Sequence, residues 1–489
     1  GPENGEDGGI RAEQAWDTLI DDSGVVIAVI DSGILEHADI TRVLSGYDFI
    51  SADGPGVFFT ANDGNGRDAD PTDPGDATSM GECGDGAPED DQDSSWHGTL
   101  VTGLLVAQTN NAAGIAGIAD QAFVLPLRAL GRCGGYLSDI ADAIRWAAGL
   151  SVSGIPANLN PADVINLSLG STGSCTQTEQ SAINAAVNAG VVVIAAAGNE
   201  GATKISAPAN CSNVIAVAAT TRDGAETCYT NIGRNVDISA PGGNSDQPSL
   251  GCTTTAADGI RLAGNDGTTT AGDDDYYSEI GTSFSTPMVA GAAALMKAVD
   301  DTLTPASIDA ILKNTARIFP AAASDGFDDC NIARCGTGIL DIQAAIAIAA
   351  DPVTNDSIPD AFSLGNKTDV TPEDTVISNT IRISGINVPT PVIIHNGEYS
   401  IDSNPFTEEA GTISNDQTIR VRLTAAADFS ETVKSVLMVG GHRSTFSVTT
   451  ASMFSNDGGG GGGVSGGLSV LCAGMLLYRR RMDQALKIK

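Results

Sequence analysis

From about residue 10 to residue 350 the chain alternates apolar runs with helix-periodic stretches. Val25–Ile30, Phe123–Leu127, Val164–Leu169, Val191–Ala196 and Val214–Ala218 are short runs dominated by Val, Ile, Leu and Ala. Such runs mark strands buried on both faces, not a sheet with one wet side. Between them lie Gly98–Ala107, Asp139–Ala148 and Glu179–Ala189, and a long Ala-rich segment, Ser283–Val299, follows. A further helix is predicted after Thr304-Pro305, with proline at its first position. The pattern predicts an α/β domain over residues 1–350, a doubly wound parallel sheet covered by helices. In that architecture, sites collect at the carboxyl ends of strands.

After Asp351-Pro352 the period changes. Segments such as Thr380-Ile381-Arg382-Ile383 and Thr418-Ile419-Arg420-Val421-Arg422-Leu423 alternate polar with apolar, and Asn396-Gly397 and Asn415-Asp416 punctuate them. This predicts a small antiparallel β-sandwich over 371–453, joined through a linker at 351–370. A Gly-rich linker at 454–463 contains six consecutive glycines, Gly458 to Gly463. The last segment, 464–489, is an apolar run to Tyr478 followed by Arg479-Arg480-Arg481. The fifteen residues 464–478, mostly apolar, span about 22 Å as a helix, short of a hydrocarbon core of about 30 Å. The arginines place this end on the cytoplasmic side, with everything before it exported.

Composition narrows the chemistry. The chain has 489 residues and a formal charge of −36, which repels phosphate backbones and excludes nucleic acid as a partner. Of the acidic residues 46 are Asp and 15 are Glu, a loop-rich balance that suits oxygen ligation of hard cations. Eight of nine cysteines fall within 83–335 and none forms a C-x-x-C pair, so disulfides in an exported protein are expected, not zinc or redox sites.

Four polar groups stand at ends of the predicted elements. Asp31 closes the run Val25-Val26-Ile27-Ala28-Val29-Ile30, and His97 opens Trp96-His97-Gly98-Thr99-Leu100-Val101. Asn199 follows Val193-Ile194-Ala195-Ala196-Ala197-Gly198. Ser283 lies in Gly281-Thr282-Ser283-Phe284-Ser285-Thr286-Pro287, where a helix dipole faces a developing oxyanion. Each alone has a structural explanation; a serine at a helix start is commonly only a cap. Taken in order, the four motifs resemble the subtilisin-like serine proteases, over roughly residues 10–350. The Asp, His, Ser order is that of subtilisin itself.

The resemblance implies Ser283 as nucleophile, His97 as general base, Asp31 as the group orienting the imidazole, and Asn199 with the Ser283 N–H as an oxyanion hole. It also implies that extended substrate lies between Ser168-Leu169-Gly170 and Gly134-Gly135. Backbone pairing of that kind gives broad specificity, with proteins and peptides as partners. A restricted processing protease is the alternative; it needs acidic residues around the cleft, and Glu200 is a candidate. An adhesive β-sandwich carried by an inert protease half is a second alternative. Phe284 and Met288 depart from the family, which often has Met and His there.

A structural calcium ion is expected. By resemblance Asp39 and Asn111 would supply side chains, and Thr109, Ala113 and Ile115 carbonyls. A second candidate is the acidic loop with Asp63, Asp68, Asp70 and Asp73, in which Pro74 replaces the glutamate an EF-hand would need. The expected disulfides are Cys175/Cys211, Cys330/Cys335, Cys83/Cys133 and Cys228/Cys252. The tail resembles a bacterial sorting signal of the GlyGly-CTERM type. It implies a transient membrane attachment of a secreted or surface protein, otherwise expected to be a monomer.

Overall fold

The computed structural model describes residues 8–17, 21–84, 87–247, 250, 258–320, 330–350 and 357–452. The Gly-rich linker, the tail with its expected membrane attachment, and Cys252 lie outside the described residues. Among the described residues no helix is long and apolar enough to cross a membrane.

Seven strands form one sheet: β1 (Val26–Asp31), β2 (Tyr47–Asp48), β3 (Phe123–Arg128), β4 (Val164–Leu167), β5 (Val192–Ala196), β6 (Ile215–Thr220) and β7 (Ile238–Pro241). Their order is β2-β3-β1-β4-β5-β6-β7, and every pairing is parallel. The strand order reverses at β1, so β1 and β4 flank the switch point at which such sheets open a crevice. Ile27 and Val29 enter one core while Ala28 and Ile30 enter the other. Both faces of β1 are therefore dry, which explains the unbroken apolar run.

Helices α1 (Ala12–Trp16), α2 (His97–Val106), α3 (Leu137–Ala147), α4 (Gln177–Asn188), α5 (Thr282–Val299), α6 (Pro305–Thr315) and α7 (Ile342–Ala349) surround the sheet. Residues of α2, α5 and α7 share the first core; those of α3 and α4 share the second. Apart from His97, every residue of α2 is buried, so this helix runs through the interior with only its first residue at the surface. Helix α4 begins with a full capping box between Thr176 and Glu179.

A hairpin of β8 (Ile260–Asn265) and β9 (Asp274–Glu279) was not legible in the sequence. Its second strand reads Asp-Asp-Tyr-Tyr-Ser-Glu, half exposed, with no apolar period to announce it. The apolar run from Val164 ends as a strand at Leu167, two residues sooner than expected, and leaves Ser168 and Leu169 at the rim.

Residues 357–452 form two sheets. One has the order Lys367–Val370, His442–Thr450, Thr432–Val439, Thr390–His395, Gly411–Ile413; the other brings Thr375–Ile377, Ile381–Arg382 and Glu398–Ile401 onto Thr418–Thr424. All pairings are antiparallel except that of Lys367–Val370 with His442–Thr450. The span read as linker thus contributes a strand. Their inward residues, among them Ile419, Val421, Leu437, Phe446 and Val448, make a separate core. The sandwich meets the larger domain through Val436 and Met438 against Ile332, and through Arg443 donating to the Arg234 carbonyl at 2.8 Å.

Arg128 ends β3 and is only 1% exposed. Its guanidinium donates to Asp48, to Asp63 at 3.0 Å and to the Ala61 carbonyl. Asp48 is fully buried, so the pair exists only while both members are present. Arg128→Met is expected to cost about 3–5 kcal/mol, because an unpaired carboxylate remains in the interior. A denaturant midpoint close to that of the unaltered chain would show that the pair contributes little.

Candidate active site

Asp31, as the last residue of β1, and His97, as the first of α2, meet at the carboxyl edge of the sheet. His97 Nδ1 lies 2.8 Å from Asp31 Oδ1, and the Ser32 N–H donates to the same oxygen at 2.7 Å. The approach requires glycine: a Cβ on Gly98 would lie 2.0 Å from the Gly33 carbonyl oxygen. Ser32 fastens the junction, accepting from the Gly98 N–H at 3.0 Å and donating to Asp73 at 2.7 Å. Asp73 is buried, and that burial pushes its carboxyl up to about 6 against the pull of Ser32 and the Gly75 N–H. Burial disfavours a charged His97, but the Asp31 carboxylate, with Asp76 and Asp73 farther out, outweighs it and raises the imidazole above its ordinary 6.5. Ser32 and Asp73 were not singled out for this junction from sequence, because only the fold brings residue 73 beside residue 32.

Ser283 is the second residue of α5. Its N–H lies in the first turn, where no carbonyl one turn back can accept it. Its carbonyl is free for a different reason: four residues on stands Pro287, which has no N–H. Ser168 takes that carbonyl with its hydroxyl at 2.7 Å, and Ser283 Oγ in turn donates to the Ser168 carbonyl at 3.1 Å. This reciprocal pair joins the end of β4 to the start of α5. Ser283 Oγ therefore rests on Ser168, not on His97, while the Phe284 ring stands 5.7 Å from the imidazole. Met288 is buried within the core of α5.

Asn199 Oδ1 accepts from the Thr282 N–H and the Thr282 hydroxyl, each at 2.9 Å. With both bonds on the oxygen, the amide nitrogen is the end left toward the rim. Ser168, Leu169, Gly170, Gly134 and Gly135 line one cleft of about 790 Å³ with Asp31 and His97. A second cavity of about 620 Å³ is lined by His97, Ser283, Phe284 and Asn199 on one side and by the β8–β9 hairpin on the other. Glu200 lines neither. Its carboxylate accepts from Asn231 and from Ser206 at 3.2 Å.

The calcium candidates divide. Asp39 is 1% exposed; Asn111 donates to one oxygen, and Ile115 N–H at 3.1 Å and Tyr276 OH at 3.3 Å reach the other. These donors are all neutral and none offsets the buried charge, while amide and carboxylate oxygens suit a hard cation. A Cβ on Gly114 would sit 2.1 Å from Asp39, so the loop closes on the carboxylate only through glycine. The set fits a cation. The acidic loop differs: Asp63 goes to Arg128, Asp73 to Ser32, and Asp68 and Asp70 turn back to the Asp70 and Thr72 N–H groups at 2.7 and 3.1 Å. Among the described residues these four carboxylates do not converge into a cluster that could hold a metal ion, and the Arg128 guanidinium lies against Asp63.

Disulfides join Cys83 to Cys133, Cys175 to Cys211 and Cys330 to Cys335. Cys228 is also disulfide-bonded.

Residues 22–338 match the Subtilase family. An extracellular protease of Xanthomonas campestris pv. campestris is 48% identical over 367 residues, which is 74% of this chain and 58% of that protein. An extracellular basic protease of Dichelobacter nodosus is 38% identical over 347 residues, 69% of this chain and 53% of that protein. The chain thus spans a little over half the length of these curated relatives. A solved protease structure from Pseudoalteromonas arctica is 47% identical with a TM-score of 0.63, covering 70% of this chain and 94% of that one. The family match takes in all seven strands of the parallel sheet and the segments carrying Asp31, His97, Asn199 and Ser283: the chain belongs to the subtilase family.

Proposed function

We propose that the chain is a secreted serine endopeptidase of broad specificity acting through an acyl-enzyme on Ser283. The observation that carries the reading is the 2.8 Å Asp31–His97 pair, set at the rim that also holds Ser283 and the amide of Asn199. Ser283 Oγ turns from the Ser168 carbonyl to His97 when substrate enters, a loosened contact common in free enzymes. His97 takes the hydroxyl proton as Oγ attacks the scissile carbonyl, and later gives it to the leaving amine. Asp31 holds the Nδ1 proton and stabilises the imidazolium. The oxyanion is met by Asn199 Nδ2 and the Ser283 N–H, at the positive end of α5. Substrate backbone pairs with Ser168–Gly170 and Gly134–Gly135, which asks little of side chains.

Export is supported by the bonded cysteines and by the relatives described as extracellular. A calcium ion held by Asp39 and Asn111, with carbonyls of Thr109, Ala113 and Ile115, would neutralise the buried carboxylate and brace the loop.

The reading is tested first on denatured casein. Ser283→Ala is expected to abolish hydrolysis, and Asn199→Ala to lower turnover about 10²–10³-fold. Hydrolysis surviving Ser283→Ala would assign the nucleophile elsewhere. His97 must be neutral to accept a proton, so kcat/KM is expected to rise with pH along a limb above 6.5. Asp76→Asn removes one of the charges that raises it, and the limb is expected to move to lower pH. An unmoved or upward-shifted limb would deny Asp76 that influence. Excess EDTA is expected to lower the melting temperature of the unaltered chain but not that of Asp39→Asn. Equal shifts in both would remove calcium from this loop.

A further inference from the structure

We infer that Asp93 and Glu279 favour substrates carrying a Lys or Arg side chain just after the scissile bond. The inference rests on the serine-protease reading and adds a substrate class to it. Acyl-side residues of a peptide would occupy the cleft between Ser168–Gly170 and Gly134–Gly135, so the residues that leave enter the cavity on the other side of Ser283. Among the described residues three carboxylates line that cavity, those of Asp93, Asp266 and Glu279, and no Lys or Arg does.

Two of the three are uncommitted. Asp266 accepts the Asp273 N–H at 2.7 Å. The side-chain carboxylates of Asp93 and Glu279 make no hydrogen bond or ion pair to any described residue, whereas neighbouring acids are engaged: Asp76 with Ser95, Asp91 with Met80 and Asp73 with Ser32. On β9, Tyr277 and Glu279 are two positions apart and present the same face to the cavity. Arg261 of β8 lies on the opposite face, its guanidinium 5.7 Å from the Tyr276 ring, so it does not answer Glu279. Leu100, Phe284, Ile280 and Tyr277 supply apolar wall beneath the carboxylates. That combination suits a long side chain with a methylene stem and a cationic head. Asp93 also borders the acyl-side cleft, which again has no Lys or Arg among its described lining residues. Both carboxylates are exposed, so the preference is several-fold, compatible with broad cleavage.

The test uses the full chain and internally quenched peptides of one acyl-side sequence, carrying Lys, norleucine or Glu at the first or second position after the scissile bond. The expected result is a kcat/KM for Lys about 3–10-fold above norleucine at about 20 mM salt, with Glu below both. The ratio should approach one at about 500 mM salt, where the screening length shrinks to a few ångströms. In Asp93→Asn/Glu279→Gln the Lys-to-norleucine ratio should fall to about one at low salt, with norleucine cleavage reporting a folded, active variant. Equal rates for Lys and norleucine in the unaltered chain, or a Lys preference that persists in the double variant, would overturn the assignment. Failure to cleave any peptide would instead overturn the protease reading on which it stands.

Discussion

The site depends on a backbone contact between Gly33 and Gly98, where a single added carbon on Gly98 would fall 2.0 Å from a carbonyl oxygen. That contact lets an interior helix begin directly on the end of an interior strand. Asp31 and His97 are then separated by a hydrogen bond, not by a layer of side chains. Ser32 uses both its donor and its acceptor to keep the two elements together, leaning on the buried Asp73. A small residue and a hydroxyl thus supply the positional precision that keeps Asp31 and His97 within hydrogen-bond distance.

The second junction has a different logic. Pro287 withholds the N–H that would have closed the first turn of α5, and the released Ser283 carbonyl is taken by Ser168. A residue that weakens a helix in isolation here couples that helix to the sheet. The end of β4 and the start of α5 are therefore tied by two hydrogen bonds. Asn199 is fixed by the same helix start, through Thr282, so the groups proposed to handle the oxyanion share one support.

Charge is distributed with the same dependence on position. Several carboxylates of this acidic chain have dedicated partners. Asp48 and Asp63 converge on Arg128, Asp73 on Ser32, and Asp39 on a loop that fits a cation. Asp93 and Glu279, at the edge of the crevice, have no side-chain partner among the described residues and are the carboxylates proposed to meet a ligand.

The residue pattern by itself determined the α/β class, the separate β-sandwich and the four polar residues at element ends. Apolar runs without alternation mark strands whose two faces are both dry, and Gly281-Thr282-Ser283-Phe284-Ser285-Thr286-Pro287 carries the resemblance to the family motif. Elements that lacked such a signature stayed hidden: the two-residue β2, the acidic β9, and a strand inside the apparent linker. The roles of the acidic residues were decided by tertiary structure alone. Asp63 and Asp73 looked like metal ligands in the sequence, yet β3 delivers Arg128 to one and the turn after β1 delivers Ser32 to the other. Glu200 looked available and is bound to Asn231, while Asp93 and Glu279, unremarked in the sequence, line the cavity with no side-chain partner among the described residues. A carboxylate reads the same in any stretch of chain; what it does is set by which donor or cation the fold carries to within 3 Å of it.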